Sequence, residues 1–385
     1  MPDSFLQRAL DTFSLSLAML THKRSRMIGC VVGVGSAFFL IHAQIGLLCG
    51  WINTTTGLIT HAHADVWVMA RNTPAFDYGT PIPRQRVYQV KSIPGVNSAE
   101  GMIVGWSFWQ CSDGRNVSIQ IVGLDKGLFT GPWKMSQGNV GTIFNPDCVI
   151  VDALYLKALG IGGVGEECEI LGKRAVVSSI SKNVRTFTAS PFVFSSLSRA
   201  VQYDPKYNAD QVTYVLARCG SGVTPKQLCK HIAKALPSVE VLTSKQFAIR
   251  TATYWMLGTG AGLTVIITAF LGLLVGAAIT SQTLYAITQD HLENYAMLLA
   301  LGFSREKLTL VVLWQSLLIG GGGVLTGCVL ILPVMVLSSH TPIPVESTPA
   351  VFAGLVAVSV LSCVVASWVS VRSIFQLDPV TVFTG

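Results

Sequence analysis

Four stretches of the chain run without a single Asp, Glu, Lys or Arg: residues 27–51, 254–280, 308–337 and 351–371. A hydrocarbon core about 30 Å thick takes about 20 apolar residues to cross as a helix. Each run therefore predicts a membrane span. Charged residues make up only 12% of the chain, about half the usual share of a soluble domain, and the apolar excess is concentrated in these runs. The fold class expected is an α-helical membrane protein with four transmembrane helices and a mixed α/β extracytoplasmic domain between helices 1 and 2. A cleaved signal peptide is the alternative for the first run, but that run is too long and its preceding tail too elaborate.

Short basic loops resist translocation, and this fixes the direction of the spans. Arg8, Lys23, Arg24 and Arg26 precede the first, Arg305 and Lys307 separate the second from the third, and Arg372 follows the fourth. The loop 338–350 holds no Lys or Arg. Both termini are expected in the cytoplasm. The boundaries expected are a cytoplasmic amphipathic N-terminal helix over 1–26, spans at 27–51 and 254–280, and an outer α/β domain at 52–253. A cytoplasmic helical extension at 281–307, a span at 308–337, an outer loop at 338–350, a span at 351–371 and a cytoplasmic tail at 372–385 complete the chain. In the N-terminal segment Leu6, Leu10, Phe13, Leu17 and Leu20 recur at helical spacing, which suits a helix on the inner membrane surface or one packed on the protein's own spans. Glycines four apart, Gly29 with Gly33, Gly258 with Gly262, Gly272 with Gly276, and Gly323 with Gly327, are candidate helix-packing residues, because small residues let backbones approach in lipid.

In the outer segment, residues 65–69, 117–122, 148–152, 174–180 and 212–218 read as strands. Residues 83–92, 153–159 and 225–236 read as helices, the last capped by Thr224 with Pro225 at its first position. Two lobes, roughly 60–145 and 146–245, are left open. Of the nine cysteines, Cys111, Cys148, Cys168, Cys219 and Cys229 lie in this segment. An odd count permits a disulfide in an oxidising compartment without saying which two residues pair.

Catalytic chemistry is not legible. The stretch Gly172-Lys173-Arg174 lacks the earlier glycine and the hydroxyl of a phosphate-binding loop. His61-Ala62-His63 with Asp65 lacks a fourth metal ligand and reads as a juxtamembrane linker. His42 is the titratable residue deep in the first span, which marks it as functional or as hydrogen-bonded to a neighbouring helix. The net charge of +7 comes without basic runs interleaved with aromatics, so nucleic acid is excluded as a partner. The chain is expected to be no enzyme by itself and to hold no cofactor or metal. After the second span the composition stays helical but turns polar through Thr288, Gln289, Asp290, His291, Glu293 and Asn294, and stops at Gly302. One long helix with a polar face there suits the docking of a cytoplasmic partner.

The sequence resembles the FtsX and MacB class of ABC-transporter permeases, most closely the DevC-like permeases of export systems. The resemblance rests on Asp65-Val66-Trp67-Val68-Met69, Pro94-Gly95-Val96, Val122-Gly123-Leu124-Asp125 and Ser198-Arg199-Ala200-Val201-Gln202-Tyr203. On the membrane side it rests on residues 276–285, Ala300-Leu301-Gly302 and Leu377-Asp378-Pro379-Val380. It implies an inner-membrane permease that forms a homodimer, pairs with a separate cytoplasmic ATPase binding ATP and Mg, and often works with a periplasmic adaptor of the membrane-fusion kind. It implies ATP-driven mechanotransmission or export of a lipid, glycolipid or other hydrophobic cargo; the alternative is an FtsX-like scaffold activating an extracytoplasmic cell-wall hydrolase. The ATPase-docking residues implied are Asp290, Glu293, Asn294, Tyr295, Leu298, Leu301, Gly302 and Arg305. Glu293 stands where relatives often carry a base, and Leu299 replaces a usual Lys or Arg.

Overall fold

A computed structural model describes residues 5–22, 24–126, 129–188 and 190–375. Most of the tail 372–385, with the Leu377-Asp378-Pro379-Val380 motif, lies outside these residues. The chain divides into two compact units, one of helices from both ends of the sequence and one spanning Gly50–Leu263 with His340–Ile343.

Along the chain, α1 (Phe5–His22) and α2 (Arg24–Thr60) come first. The α/β unit then supplies β1 (Val66–Ala70), β2 (Ile82–Pro83), α3 (Gln85–Lys91), β3 (Val96–Gln110), β4 (Asn116–Leu124), β5 (Met135–Gln137) and β6 (Cys148–Asp152). It continues with α4 (Leu156–Leu159), β7 (Glu167–Ile170), β8 (Lys173–Ser181), β9 (Phe192–Ser196), α5 (Leu197–Tyr203), β10 (Gln211–Val212) and β11 (Tyr214–Cys219). It closes with α6 (Pro225–Ala235), β12 (Val239–Thr243) and α7 (Ser244–Thr253). A π-helical turn, Tyr254–Gly258, precedes α8 (Ala261–Asp290), which is followed by α9 (Leu292–Ala300), α10 (Arg305–Ser338) and α11 (Pro349–Phe375).

The α/β unit is built on one sheet in the order β12-β1-β11-β3-β4-β9-β6-β8-β5, with β7 bridging β3 and β8 and with β10 and β2 pairing separately. The β4–β9 and β6–β8 pairings are parallel. Because β4 pairs with β9, strands from either side of position 145 belong to one sheet. Successive side chains of a strand point to opposite faces, and here both faces are covered. Val66, Val68, Ile119 and Ile121 enter one apolar cluster together with Val87, Val90, Leu228 and Ile232 of α3 and α6. Trp67, Met69, Val122 and Leu124 enter the other with Leu58 and Ile59 of α2 and Phe247 of α7. Double coverage explains why β1 reads as an unbroken apolar run rather than an alternating one.

Helix α6 starts on a capping box, in which Thr224 Oγ1 accepts from the Gln227 backbone N–H and the Gln227 side chain returns to the Thr224 N–H. The same device, from Thr243 and Gln246, starts α7.

In the helical unit, α2 is 37 residues, Gly262–Asp290 is 29 and α10 is 34, each long and apolar enough to cross a bilayer by length and composition. In α11 the stretch Pro349–Val365 is apolar. The second expected span, 254–280, does not begin as a regular helix at Tyr254: the π-turn and Gly260, at φ +72°, separate α7 from α8. Helix α1 buries Thr12, Ser16 and Leu20, while Leu10 and Leu17 are exposed. Its packed face lies on α10, where the Ser16 hydroxyl reaches the carbonyls of Thr12 (2.6 Å) and Val311 (3.0 Å), and Phe13 meets Trp314 edge-on. The side chain of Leu6 lies outside the described residues. His42 is 2% exposed between Phe38 and Phe352. Neither ring nitrogen has a hydrogen-bond partner among the described residues, so the hydrogen bond expected from a neighbouring helix is not made there.

Candidate functional site

The polar end of the second apolar helix is not one long helix. α8 stops at Asp290, His291 turns out of helical geometry (ψ 9°), and α9 begins at Leu292. α9 then ends in a Schellman motif: Gly302 takes φ +89°, the Phe303 N–H donates to the Leu298 carbonyl and the Gly302 N–H donates to the Leu299 carbonyl. A residue with a Cβ is strained at that φ. Ser304 caps α10 by accepting from the Lys307 N–H. The sequence signalled the stop at Gly302 but not the break at His291, because Thr288, Gln289 and Asn294 are tolerated in helices and carry no breaker.

The docking residues implied by the resemblance divide by position. Glu293, Asn294, Leu301, Gly302 and Arg305 are exposed, as is Met297, which was not among them. Tyr295 is fully buried, and this corrects its assignment as a contact residue. Its ring packs with Leu308, Val311 and Val312, bordered by Leu15 and Met19 of α1, and its hydroxyl donates to Gln315 Oε1 on α10. Leu298 is half-buried against the same cluster. Asp290 pairs with Arg26 at the start of α2. With both partners a third or more exposed, that pair contributes at most about 1 kcal/mol. α9 is thus held through Tyr295 and presents Glu293, Asn294, Met297 and Leu301 outward.

The Tyr295 anchor has a measurable consequence. Substituting phenylalanine leaves the Gln315 acceptor, 2% exposed, without its donor, and an orphaned buried polar group costs about 1–3 kcal/mol. Tyr295→Phe is expected to lower the thermal midpoint of the detergent-solubilised chain, and Gln315→Leu combined with it to recover part of the loss.

The glycines fall into three groups. Gly272 and Gly276 of α8 face α2, where an added Cβ would stand 3.1 Å from Gln44 Cγ and 2.7 Å from Ile41 Cδ1. Gly323 and Gly327 of α10 face the same helix, 2.5 Å from Val34 Cγ1 and 2.6 Å from Phe38 Cδ1, and Gly33 faces Thr283 at 3.2 Å. Gly258 and Gly262 lie at the break before and into α8, where a Cβ on Gly262 would overlap the Met256 backbone. Gly29 meets nothing within 4 Å. At Gly35, not singled out by the four-residue spacing, an added Cβ would stand 2.8 Å from Thr326 Cβ and 3.1 Å from the Gly323 carbonyl.

A second set of residues escaped the sequence altogether. In the α/β unit, Trp51 of α2 stacks on Phe187 (5.0 Å), Phe187 meets Trp255 of the π-turn (4.5 Å), and Trp255 meets Tyr78 (5.7 Å). At the centre is Asp77, buried, with no cation bonded to it among the described residues: Trp255 Nε1 donates to Oδ2 at 2.8 Å and Gln120 Nε2 donates to Oδ1 at 3.1 Å. Burial raises its pKa above the usual carboxylate range, while the Trp255 and Gln120 hydrogen bonds oppose the rise. A lone Asp between Phe and Tyr carries no sequence signal of this role. His61 stacks on Trp133 at 4.1 Å and donates from Nδ1 to the Gly57 carbonyl at 2.9 Å; no cluster of metal-ligating side chains occurs among the described residues.

Comparison with known proteins adds one assignment. Residues 266–379 match the profile described as the FtsX-like permease C-terminal region. No curated protein matches the sequence. Among solved structures, the periplasmic region of MacB from Actinobacillus actinomycetemcomitans is similar at 10% identity, covering 49% of this chain and 92% of that one, with a TM-score of 0.38. The extracellular domain of the noncanonic ABC-type transporter YknZ from Gram-positive bacteria is similar at 12% identity, covering 46% and 98%, with a TM-score of 0.37.

Proposed function

We propose, from the match of residues 266–379 to the FtsX-like permease C-terminal region, that this chain is the transmembrane subunit of an ATP-driven export or mechanotransmission system. In this reading four helices, α2, α8, α10 and α11, span the inner membrane with both termini in the cytoplasm, and the α/β unit lies outside. A separate ATPase docks on α9, two copies of the chain form the working dimer, and a periplasmic adaptor receives a lipid, glycolipid or other hydrophobic cargo. The observation that carries the reading is the position of α9: a short, outward-facing helix inside the family-matched region, fastened to α1 and α10 by Tyr295. A rigidly seated helix converts a push from a partner into displacement of the helices it is packed on.

The test is co-purification of the tagged full chain with its ATPase in each nucleotide state. Glu293→Arg, Asn294→Arg and Met297→Asp together are expected to weaken association about tenfold or more, about 1.4 kcal/mol or more, with the chain's own thermal midpoint unchanged. Failure to recover any ATPase with the unmodified chain would defeat the proposal. Export and the activation of a cell-wall hydrolase use the same device; an adaptor or a hydrolase among the co-purifying proteins decides between them.

A further inference from the structure

We propose that Cys111 and Cys168 form a disulfide that staples the tip of the β3–β4 hairpin to β7. The geometry comes from strand register. β3 and β7 are antiparallel with Trp109 opposite Ile170 and Gln110 opposite Glu169, and one further step of the same register places Cys111 opposite Cys168. The Leu171 N–H donates to the Phe108 carbonyl at 3.1 Å, so residues 108 and 171 are a hydrogen-bonded pair. Hydrogen-bonded and non-hydrogen-bonded pairs alternate along such a ladder, which makes 111 and 168 a non-hydrogen-bonded pair. In agreement, the Cys111 N–H turns the other way, to the Arg115 carbonyl of its own hairpin at 2.8 Å. Facing Cα atoms of a non-hydrogen-bonded pair are about 4.5 Å apart, within the span of about 4.4–6.8 Å that a disulfide bridges.

Both side chains point to the same face, since Trp109, Cys111 and Ile170 belong to one apolar cluster and Cys168 packs against it. Both also line one cavity of about 490 Å³ with Gly160, Glu167 and Arg174, which gives a small reagent a way in. Burial, with Glu166 and Glu167 adding to it, pushes the Cys168 thiol up to about 12. A thiol that ionises so reluctantly closes slowly and is a poor leaving group once oxidised, which favours a lasting bridge over a labile one. The oxidant is an external disulfide. One Cys thiolate attacks it and releases a first thiolate. The second Cys thiolate then attacks the Cys sulfur of the mixed disulfide and releases another, so that two protein thiols lose two protons and two electrons and the reagent becomes two thiols.

The experiment uses the full chain in detergent, treated with excess oxidised glutathione at mildly alkaline pH, then unfolded, alkylated and digested. The expected result is a linked pair of peptides holding Cys111 and Cys168, lighter by about 2 Da than the two thiol peptides together. Cys111→Ser and Cys168→Ser each abolish the link, and Cys148→Ser leaves it. Recovery of both cysteines alkylated, or a link of Cys219 to Cys229 in place of theirs, overturns the proposal. Closure in the cell rests on the outward placement proposed above, so cells are also quenched with an alkylating agent before lysis. The bridge is expected in that sample; its presence in vitro with its absence in cells would defeat the outward placement and the native disulfide while leaving the strand geometry intact.

Discussion

Replacing Gly327 by leucine is expected to destroy the folded helical unit, while the same replacement at Gly29 leaves it standing. At Gly327 a Cβ would meet not only the Phe38 ring at 2.6 Å but the backbone carbonyl of Gly35 at 2.9 Å, and a backbone atom cannot rotate out of the way. Overpacking a filled contact typically costs about 1–3 kcal/mol and more where the backbone must move, so a loss of about 3 kcal/mol or more is expected here. Small-residue contacts have no substitute in lipid, where apolar side chains gain nothing by leaving one apolar medium for another. Gly29 meets nothing within 4 Å, and exchange there is expected within about 0.5 kcal/mol. Unfolding of both variants in mixed micelles by denaturant, followed by helical circular dichroism, separates the two outcomes. Equal behaviour would mean that α2 and α10 do not touch at Gly327.

The second large effect is at Asp77. Truncation to alanine leaves two buried donors, Trp255 Nε1 and Gln120 Nε2, without an acceptor, at about 1–3 kcal/mol each. The α/β unit is therefore expected to lose about 2–6 kcal/mol. The Asp77→Asn exchange is expected to be far milder. Gln120 Oε1 is buried and without a partner, so a flip of the Gln120 amide offers an acceptor to the NH₂ group that the exchange introduces, while the side-chain oxygen that remains keeps the Trp255 bond. The same vacant acceptor suits the hydroxyl of a protonated Asp77.

The sign of the pH dependence follows from the direction of the shift. The folded-state value lies above the unfolded reference of 3.8, so between the two the folded chain binds the proton and the unfolded chain does not. Stability from this group is full below pH 3.8 and is lost as the pH rises through the folded-state value. Thermal midpoints of the wild type are expected to fall over that window relative to Asp77→Asn, which does not titrate. A difference between the two that stays constant with pH would mean that Asp77 keeps its charge on folding. The groups facing it are Tyr78 and Tyr214, together with the indoles of Trp106 and Trp255 and the Gln120 amide.

How far these features were legible depends on whether the physics was local. The apolar runs, the Thr224 cap and the strand at 148–152 follow from composition, capping chemistry and β-branched content, and each occurs in the structure. The longest strand, β3, was missed because it holds Asn97, Ser98, Glu100, Gly101 and Gly105, residues that weaken any strand signal. Its glycines answer to distant neighbours: a Cβ added at Gly101 would stand 2.9 Å from Val212 Cγ1, and Gly105 admits the Asp204 carboxylate, which accepts from the Trp106 N–H. Tyr295 entered as a docking residue through the family resemblance, and only α1 and α10 closing over it make it an anchor. Asp77 was invisible for the same reason, since its partners Gln120 and Trp255 come from strands and turns far along the chain.

The ends of the large sheet carry a consequence for the proposed membrane placement. One border strand, β5, is three residues long, and the other, β12, has five, with α6 leading into it and α7 leading out. Unpaired amides along a long open border invite a neighbouring molecule to add its own strand. In the membrane placement proposed above, molecules held side by side in two dimensions meet often, yet these short borders leave them little backbone to share.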